Sequence, residues 1–204
     1  MKRSLLTLTV SLALISCASV DYTKIDNRIP ANVILTQGDH KNIKYIDSIN
    51  YRHNIEYSPS LSAKCLILHV DNHGITLKDS SNTFVGPYTG RLYSIDSSTD
   101  IQGDSVLLFN DEHATIGQGL VKGSFVFGIA TIEKIYRFKL ILEPIDGQTV
   151  LSYSNIQAAQ VDTGYSPNSG FVKVGAWPEA QPMLLVNLIN AKTEALKKCL
   201  SSSE

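Results

Sequence analysis

The run from Ile132 to Leu142 constrains this chain more than any other stretch, because its side chains sort by parity. Tyr136, Phe138 and Leu140 fall on one side of an extended backbone, while Arg137, Lys139 and Ile141 fall on the other. That period of two is the mark of a half-buried strand. Apolar segments of similar length flank it: Val106 to Phe109, Thr115 to Val126 and Val150 to Ile156, with turn residues at Asn110-Asp111-Glu112 and at Asp146-Gly147. Asp-Gly between two apolar runs is a strong hairpin signal. The stretch therefore predicts an antiparallel meander, and a sheet of this kind needs apolar cover on one face while the other can meet water or a partner.

Two segments can supply the cover. Ser58-Pro59 suits a helix start, since Ser can cap free amides and Pro is tolerated in the first turn. From there Leu61, Cys65 and Leu68, and also Ala63, Ile67 and Val70, recur at spacings of three and four up to a stop at Gly74. A helix over Pro59 to Asn72 follows, although Cys65 to Val70 also suits a buried strand. Near the carboxyl end, Leu185, Leu188, Ile189, Ala195, Leu196 and Cys199 keep helical spacing, and Lys197 and Lys198 sit where the helix dipole favours cations. This predicts a helix from Pro182 to Leu200. Val33 to Leu35 and the region from Ile43 to Tyr57 read as two strands, and Ile75 to Leu77 as a short one. Arg91 to Gly103 and Gln157 to Trp177 read as long irregular stretches. The fold class is α+β: an antiparallel meander with two helices packed on one face.

The amino terminus sets the expected address. Lys2 and Arg3 precede an uncharged run from Leu5 to Ile15, followed by the small residues of a secretory signal. A run of about a dozen apolar residues falls short of the 20 or so that a membrane-spanning helix needs. Leu14-Ile15-Ser16-Cys17 resembles the lipobox of bacterial lipoproteins, in which cleavage leaves a diacylated cysteine as the first residue. The resemblance implies residues 1–16 as signal peptide, Cys17 as the lipidated amino terminus, 17–30 as a flexible tether and 31–204 as one periplasmic domain. In Gram-negative lipoproteins an Asp after the cysteine favours the inner membrane; Ala18 and Ser19 stand here, which implies the outer membrane. An ordinary secretory signal cut after Ala18 is the alternative.

Composition narrows the partners. Hydrophobic residues make up 43% of the chain, too many for a disordered protein. The formal charge of -1 becomes more negative by two once Lys2 and Arg3 are removed, and no basic block points to nucleic acid. After acylation of Cys17, Cys65 and Cys199 form an even pair in an oxidising compartment. If both helices lie on one sheet face, the two can meet as a disulfide; two buried thiols behaving as small hydrophobes are the other outcome.

No motif requires catalysis. Asp162-Thr163-Gly164 spells the string of aspartic proteases, but no second copy supplies the partner carboxylate, and an Asp-initiated turn is the simpler reading. His69 and His73 have a spacing that can hold zinc on a helix, without a third ligand nearby. Gly117, Gly119 and Gly123 lie inside an apparent strand and point to a bulge or close packing rather than to a nucleotide cradle. The span from Ser105 to Leu200, with Ile116-Gly117-Gln118-Gly119 and a Tyr-Arg-Phe strand, resembles uncharacterised bacterial domains with a TATA-binding-protein-like fold. It is also similar to the helix-grip domains in a lipoprotein of the outer-membrane β-barrel assembly machinery. These resemblances imply an interaction module with no catalytic residue and no cofactor.

Tyr165, Phe171 and Trp177, with Val174, lie in a Gly-rich irregular segment and are candidate interface anchors. Packing of Trp177 against the start of the last helix is the competing reading. The expected function is that of a non-catalytic envelope lipoprotein with a protein partner, attached to the membrane through its lipid. A periplasmic binder of a small apolar or lipidic ligand is the alternative, and an unrecognised hydrolase a third possibility. An exposed aromatic group or open sheet edge fits the first, an enclosed apolar pocket the second, and convergent titratable groups the third.

Overall fold

The strand alternation does build the predicted meander. A computed structural model describes residues 20–40 and 42–202, so the expected signal segment and Cys17 lie outside the described residues. Strands β7 (Leu107–Asn110), β8 (Thr115–Phe127), β9 (Ala130–Ile145) and β10 (Gln148–Gln160) follow one another as antiparallel neighbours. Asp146 and Gly147 both adopt positive φ, 51° and 72°, in the two-residue turn between β9 and β10. That conformation is the one a tight hairpin turn requires. Strands β1 (Val33–Gln37) and β2 (Lys44–His53) extend the sheet beyond β10, giving the order β1-β2-β10-β9-β8-β7.

The two helices, α1 (Pro59–His69) and α2 (Pro182–Ser201), cover one face of this sheet. Leu66, Tyr136, Phe138, Leu140, Tyr153, Leu185 and Ile189 are buried between sheet and helices. Helix α2 turns Leu185, Val186, Ile189, Thr193 and Leu196 inward, the spacing the sequence predicts. Helix α1 behaves differently. Its buried side is Ser62, Cys65 and Leu66, whereas Ile67 and Leu68, members of the expected stripes, are exposed. The Ser58 hydroxyl makes no cap hydrogen bond, so Pro59 in the first turn carries the helix start. Cys65 and Cys199 are joined in a disulfide that ties α1 to α2. Lys192 Nζ of α2 donates to the His69 carbonyl at 2.6 Å, satisfying a free acceptor at the end of α1.

Three glycines of β8 set how closely the helices approach. In register, Gly117 faces Leu140, Gly119 faces Phe138 and Gly123 faces Lys134, all on the helix side. A Cβ at Gly119 would lie 2.2 Å from Val70 Cγ1, and one at Gly117 would lie 2.6 Å from Leu66 Cδ2. One at Gly123 would meet Leu188 Cδ1 at 2.7 Å. The expectation of close packing at these positions therefore holds, and the close neighbours are Leu66 of α1, Leu184 and Leu188 of α2, Val70 just past the end of α1 and, at Gly117, the Val106 carbonyl.

The segments expected to be irregular contain order that alternation does not reveal. β3 (Ile75–Asp79) pairs with β6 (Ser97–Ile101), and β4 (Phe84–Val85) with β5 (Leu92–Tyr93), as two small ribbons outside the main sheet. β10 continues to Gln160, past a positive-φ residue, Asn155, where its register with β9 shifts. Beyond that shift β10 leaves β2 and pairs instead with β11 (Val172–Lys173). Backbone bonds from Ile46 to Val174 and from Ala176 to Lys44 then place this segment against the first half of β2.

Residues 20–30 are the described part of the expected tether, residues 17–30. Asp26 is buried, donates its amide to the Ala176 carbonyl at 2.8 Å, and holds Arg28 in an ion pair of 2.6 Å. The Arg28 side chain, hydrogen-bonded to the Asp26 carboxyl, holds that carboxyl below the usual carboxylate range against the opposing effect of burial. A buried, partnered carboxylate fixes the backbone around it.

Candidate protein-interaction surface

The sequence-predicted interface residues separate in the structure. Trp177 sits over Gly175, where a Cβ would come within 2.3 Å of its ring, and meets Tyr22 and Tyr45 edge-on at centroid distances of 5.2 and 5.7 Å. It thus locks the amino-terminal segment to β2 and precedes the single 3₁₀ turn at Pro178–Ala180 that leads into α2. Phe171 lies under the Arg137 guanidinium, 4.3 Å from the ring centroid, and Arg137 also donates to the Gln157 side chain at 2.6 Å. Tyr165 alone of the three stands out in solvent, 75% exposed. Phe171 and Trp177 line one surface cleft of about 830 Å³, which Tyr165 does not join.

The chemically suggestive strings resolve into structure. Asp162 accepts the Gly164 amide at 2.8 Å in an Asp-initiated turn, with Gly164 at φ 60°. Helix α1 ends at His69, so His73 lies outside it and the two histidines do not share a helix face. Among the described residues, no three His, Cys, Asp or Glu side chains come together in a way that could hold a metal.

A different surface is better formed, and it grows from β8. β7 pairs with β8 only as far as Gly117, and one further bond runs from the Gln118 amide to Val106. Next the Leu120 amide donates to the Asp71 carbonyl at 2.6 Å, in an isolated antiparallel bridge. From Lys122 onward β8 pairs only with β9, so this half of the strand is an open sheet edge. The β8–β9 hairpin ends in Val126-Phe127-Gly128-Ile129, where Val126 and Phe127 are more than 70% exposed and Ile129 is fully so. Gly128, at φ 61°, makes the tight reversal there.

Alongside the open edge runs a cleft of about 900 Å³. Its helix side is formed by Leu188, Ala191, Lys192 and Ala195 of α2, its floor includes Leu120, Val121 and Lys122, and Ile75 and Lys78 of β3 close the other side. His69 and His73 lie at its rim with Asp71, which is 3.8 Å from Lys192 Nζ. Lys134, on the helix side of β9, is held apart from this cleft: its Nζ donates to the Ala180 carbonyl at 3.1 Å and lies over the Phe125 ring, and burial pushes its ammonium below the usual lysine range.

Periodicity missed this surface for a definable reason. Thr115 to Val126 reads as a strand, and parity assigns its faces, but whether an edge is paired depends on where β7 stops. The usable signal was the run Phe125-Val126-Phe127-Gly128-Ile129, which places apolar residues at a glycine turn instead of polar ones. Against known proteins, the chain matches no family model, no curated protein and no solved structure.

Proposed function

We propose that the protein is a lipid-anchored component of the outer membrane whose periplasmic domain binds another envelope protein and performs no chemistry of its own. The observation that carries the reading is the apolar tip of the β8–β9 hairpin, with Val126, Phe127 and Ile129 turned to solvent together. Exposed apolar groups clustered at the end of a rigid hairpin are costly for solubility and are retained where a partner covers them. The lipobox at Leu14-Ile15-Ser16-Cys17 supports the anchor, and two or more acyl chains hold a protein to a bilayer stably.

The alternative of an enclosed lipidic ligand is less well supported, because buried side chains such as Tyr136, Phe138, Tyr153, Leu185 and Ile189 fill the space between sheet and helices. Crosslinking in intact membranes tests the proposal with the parent and with a Val126→Ser, Phe127→Ser, Ile129→Ser variant. The parent is expected to give one discrete crosslinked species that the variant loses while keeping its thermal transition. A species that persists in the variant removes the hairpin from the interface. A Cys17→Ala protein that still sediments with membranes removes the anchor.

A further inference from the structure

We infer that the open edge of β8 is a strand-addition site, and that it takes an extended segment of a partner protein in which apolar and acidic residues alternate. The inference rests on the partner-binding reading and specifies how the partner is held.

The backbone comes first. In an antiparallel strand the amide and carbonyl of alternate residues point to the same side. Gln118 and Leu120 use their amides toward the β7 side, so Lys122, Ser124 and Val126 turn theirs the same way. No strand is hydrogen-bonded to β8 on that side beyond Leu120 among the described residues. A row of free donors and acceptors recognises one chemistry well: another extended backbone, as in the recognition of peptides by sheet edges.

Side-chain positions follow from the same parity. A strand laid beside β8 has half its residues level with Val121, Gly123 and Phe125, on the helix side. There Gly123 has no side chain, and Leu184 and Leu188 of α2 come within contact distance of it, while Ala191 and Ala195 continue the wall of the cleft. Apolar side chains fit that wall. The remaining residues of the added strand lie level with Lys122 and Ser124 on the opposite face. Lys122 and Lys78 both line the cleft and both are exposed, and neither has an ion pair among the described residues. Asp71, the acid among the residues that line the cleft, faces Lys192, while Glu133 stands across from Ser124 on the β9 side and Asp162 is bridged to the backbone of Lys78. Carboxylates in the added strand complement these two lysines, and cross-strand pairs of opposite charge stabilise pairing while like charges oppose it. The same lysine disfavours a second copy of this chain on the edge, which would bring a second lysine-bearing strand with it.

Hydrogen exchange of the full acylated protein in detergent micelles tests the site. The probe is a blocked synthetic peptide of alternating valine and glutamate, compared with a version in which alternate backbone nitrogens are methylated and with one carrying lysine for glutamate. The valine–glutamate peptide is expected to slow exchange at Lys122, Ser124 and Val126 by about tenfold or more at saturation. N-methylation and Lys122→Glu are each expected to abolish that protection. Ser124→Pro removes one outward donor while leaving the β9 side of the strand intact, and is expected to do the same.

Equal protection by the N-methylated or lysine peptide overturns the inference, as does no protection by any of them. Protection already present without peptide and rising with protein concentration assigns the edge to a second copy and also overturns it. A membrane crosslink that depends on the hairpin tip, together with no peptide protection, removes strand addition while leaving partner binding in place.

Discussion

Two buried tyrosines on neighbouring strands show how much depends on a single partner. The Tyr153 hydroxyl is bonded by Thr193 Oγ1 at 3.0 Å, whereas the Tyr136 hydroxyl has no partner among the described residues. Burial pushes both phenols above the ordinary tyrosine range. A buried hydroxyl without a hydrogen bond costs its desolvation, while a satisfied one contributes on the order of 1 kcal/mol. Tyr136→Phe is therefore expected to raise stability by about 1 kcal/mol and Tyr153→Phe to lower it by about 1 kcal/mol, both read from urea denaturation midpoints. His53 adds a pH dependence. Burial, and then the charge of Lys197, hold its imidazole below the usual histidine range, with Glu194 opposing. Its folded form resists protonation more than its unfolded form, so the unfolded state binds the extra proton as pH falls below the ordinary histidine value. The stability His53 contributes is complete above that value and is lost on the way down to its folded pKa. Denaturation midpoints should fall between pH 7 and pH 5, and His53→Gln should flatten that part of the curve. The Tyr153 partner was not legible in the sequence, because Thr193 lies 40 residues away, and strand parity, which turns Tyr136 inward, says nothing of its unpartnered hydroxyl.

At the scale of elements, parity and turn chemistry carried most of the fold, and they failed where pairing does not depend on them. The four strands of the meander and helix α2 follow from apolar spacing alone. β6 does not: its residues are Ser97, Ser98, Thr99, Asp100 and Ile101, with no apolar side to declare a strand, and it exists because β3 is there to pair with. Helix α1 is intermediate. Its apolar residues surround it, so spacing could locate the helix but not choose the buried side, which the bond from Cys65 to α2 fixes. The glycines of β8 were legible as close-packing positions but not as the seats of particular helix residues. Gly119→Ala puts a methyl group into Val70, and such overpacking costs 1 to 3 kcal/mol. The variant is expected to lose about 2 kcal/mol in chemical denaturation. A loss below about 0.5 kcal/mol, within the range of ordinary surface substitutions, would mean that α1 can lift away from β8 without strain.

Across the whole molecule, the chain is held by one long covalent loop. The disulfide spans 134 residues, from α1 to the end of α2, and everything from β3 to β11 lies inside it. Closing a loop of that length removes enough freedom from the unfolded chain to contribute up to about 5 kcal/mol. The sequence offered the even pair of cysteines and their apolar settings; it could not supply the meeting itself, which needs both helices on the same face of the sheet. Counting thiols tests the bridge and, in a protein whose mass shows that Cys17 is retained, the anchor as well, because the chain has three cysteines. Under denaturing, non-reducing conditions the proposed acylated protein should show no free thiol: two sulfurs are in the bridge, and on the proposed lipidation the third, at Cys17, is in thioether linkage to lipid. One free thiol would keep the bridge and reject the lipid, and two would reject the bridge while keeping the lipid. Reductant should then release two thiols, never three, and shift the unfolding transition toward that of a Cys65→Ala, Cys199→Ala variant. The loss reaches the full estimate only if the reduced, unfolded chain explores the freedom the loop had removed. A smaller loss would mean that the unfolded state keeps α1 and α2 near each other without the bond, a contact already favoured in the fold by Lys192 on the His69 carbonyl.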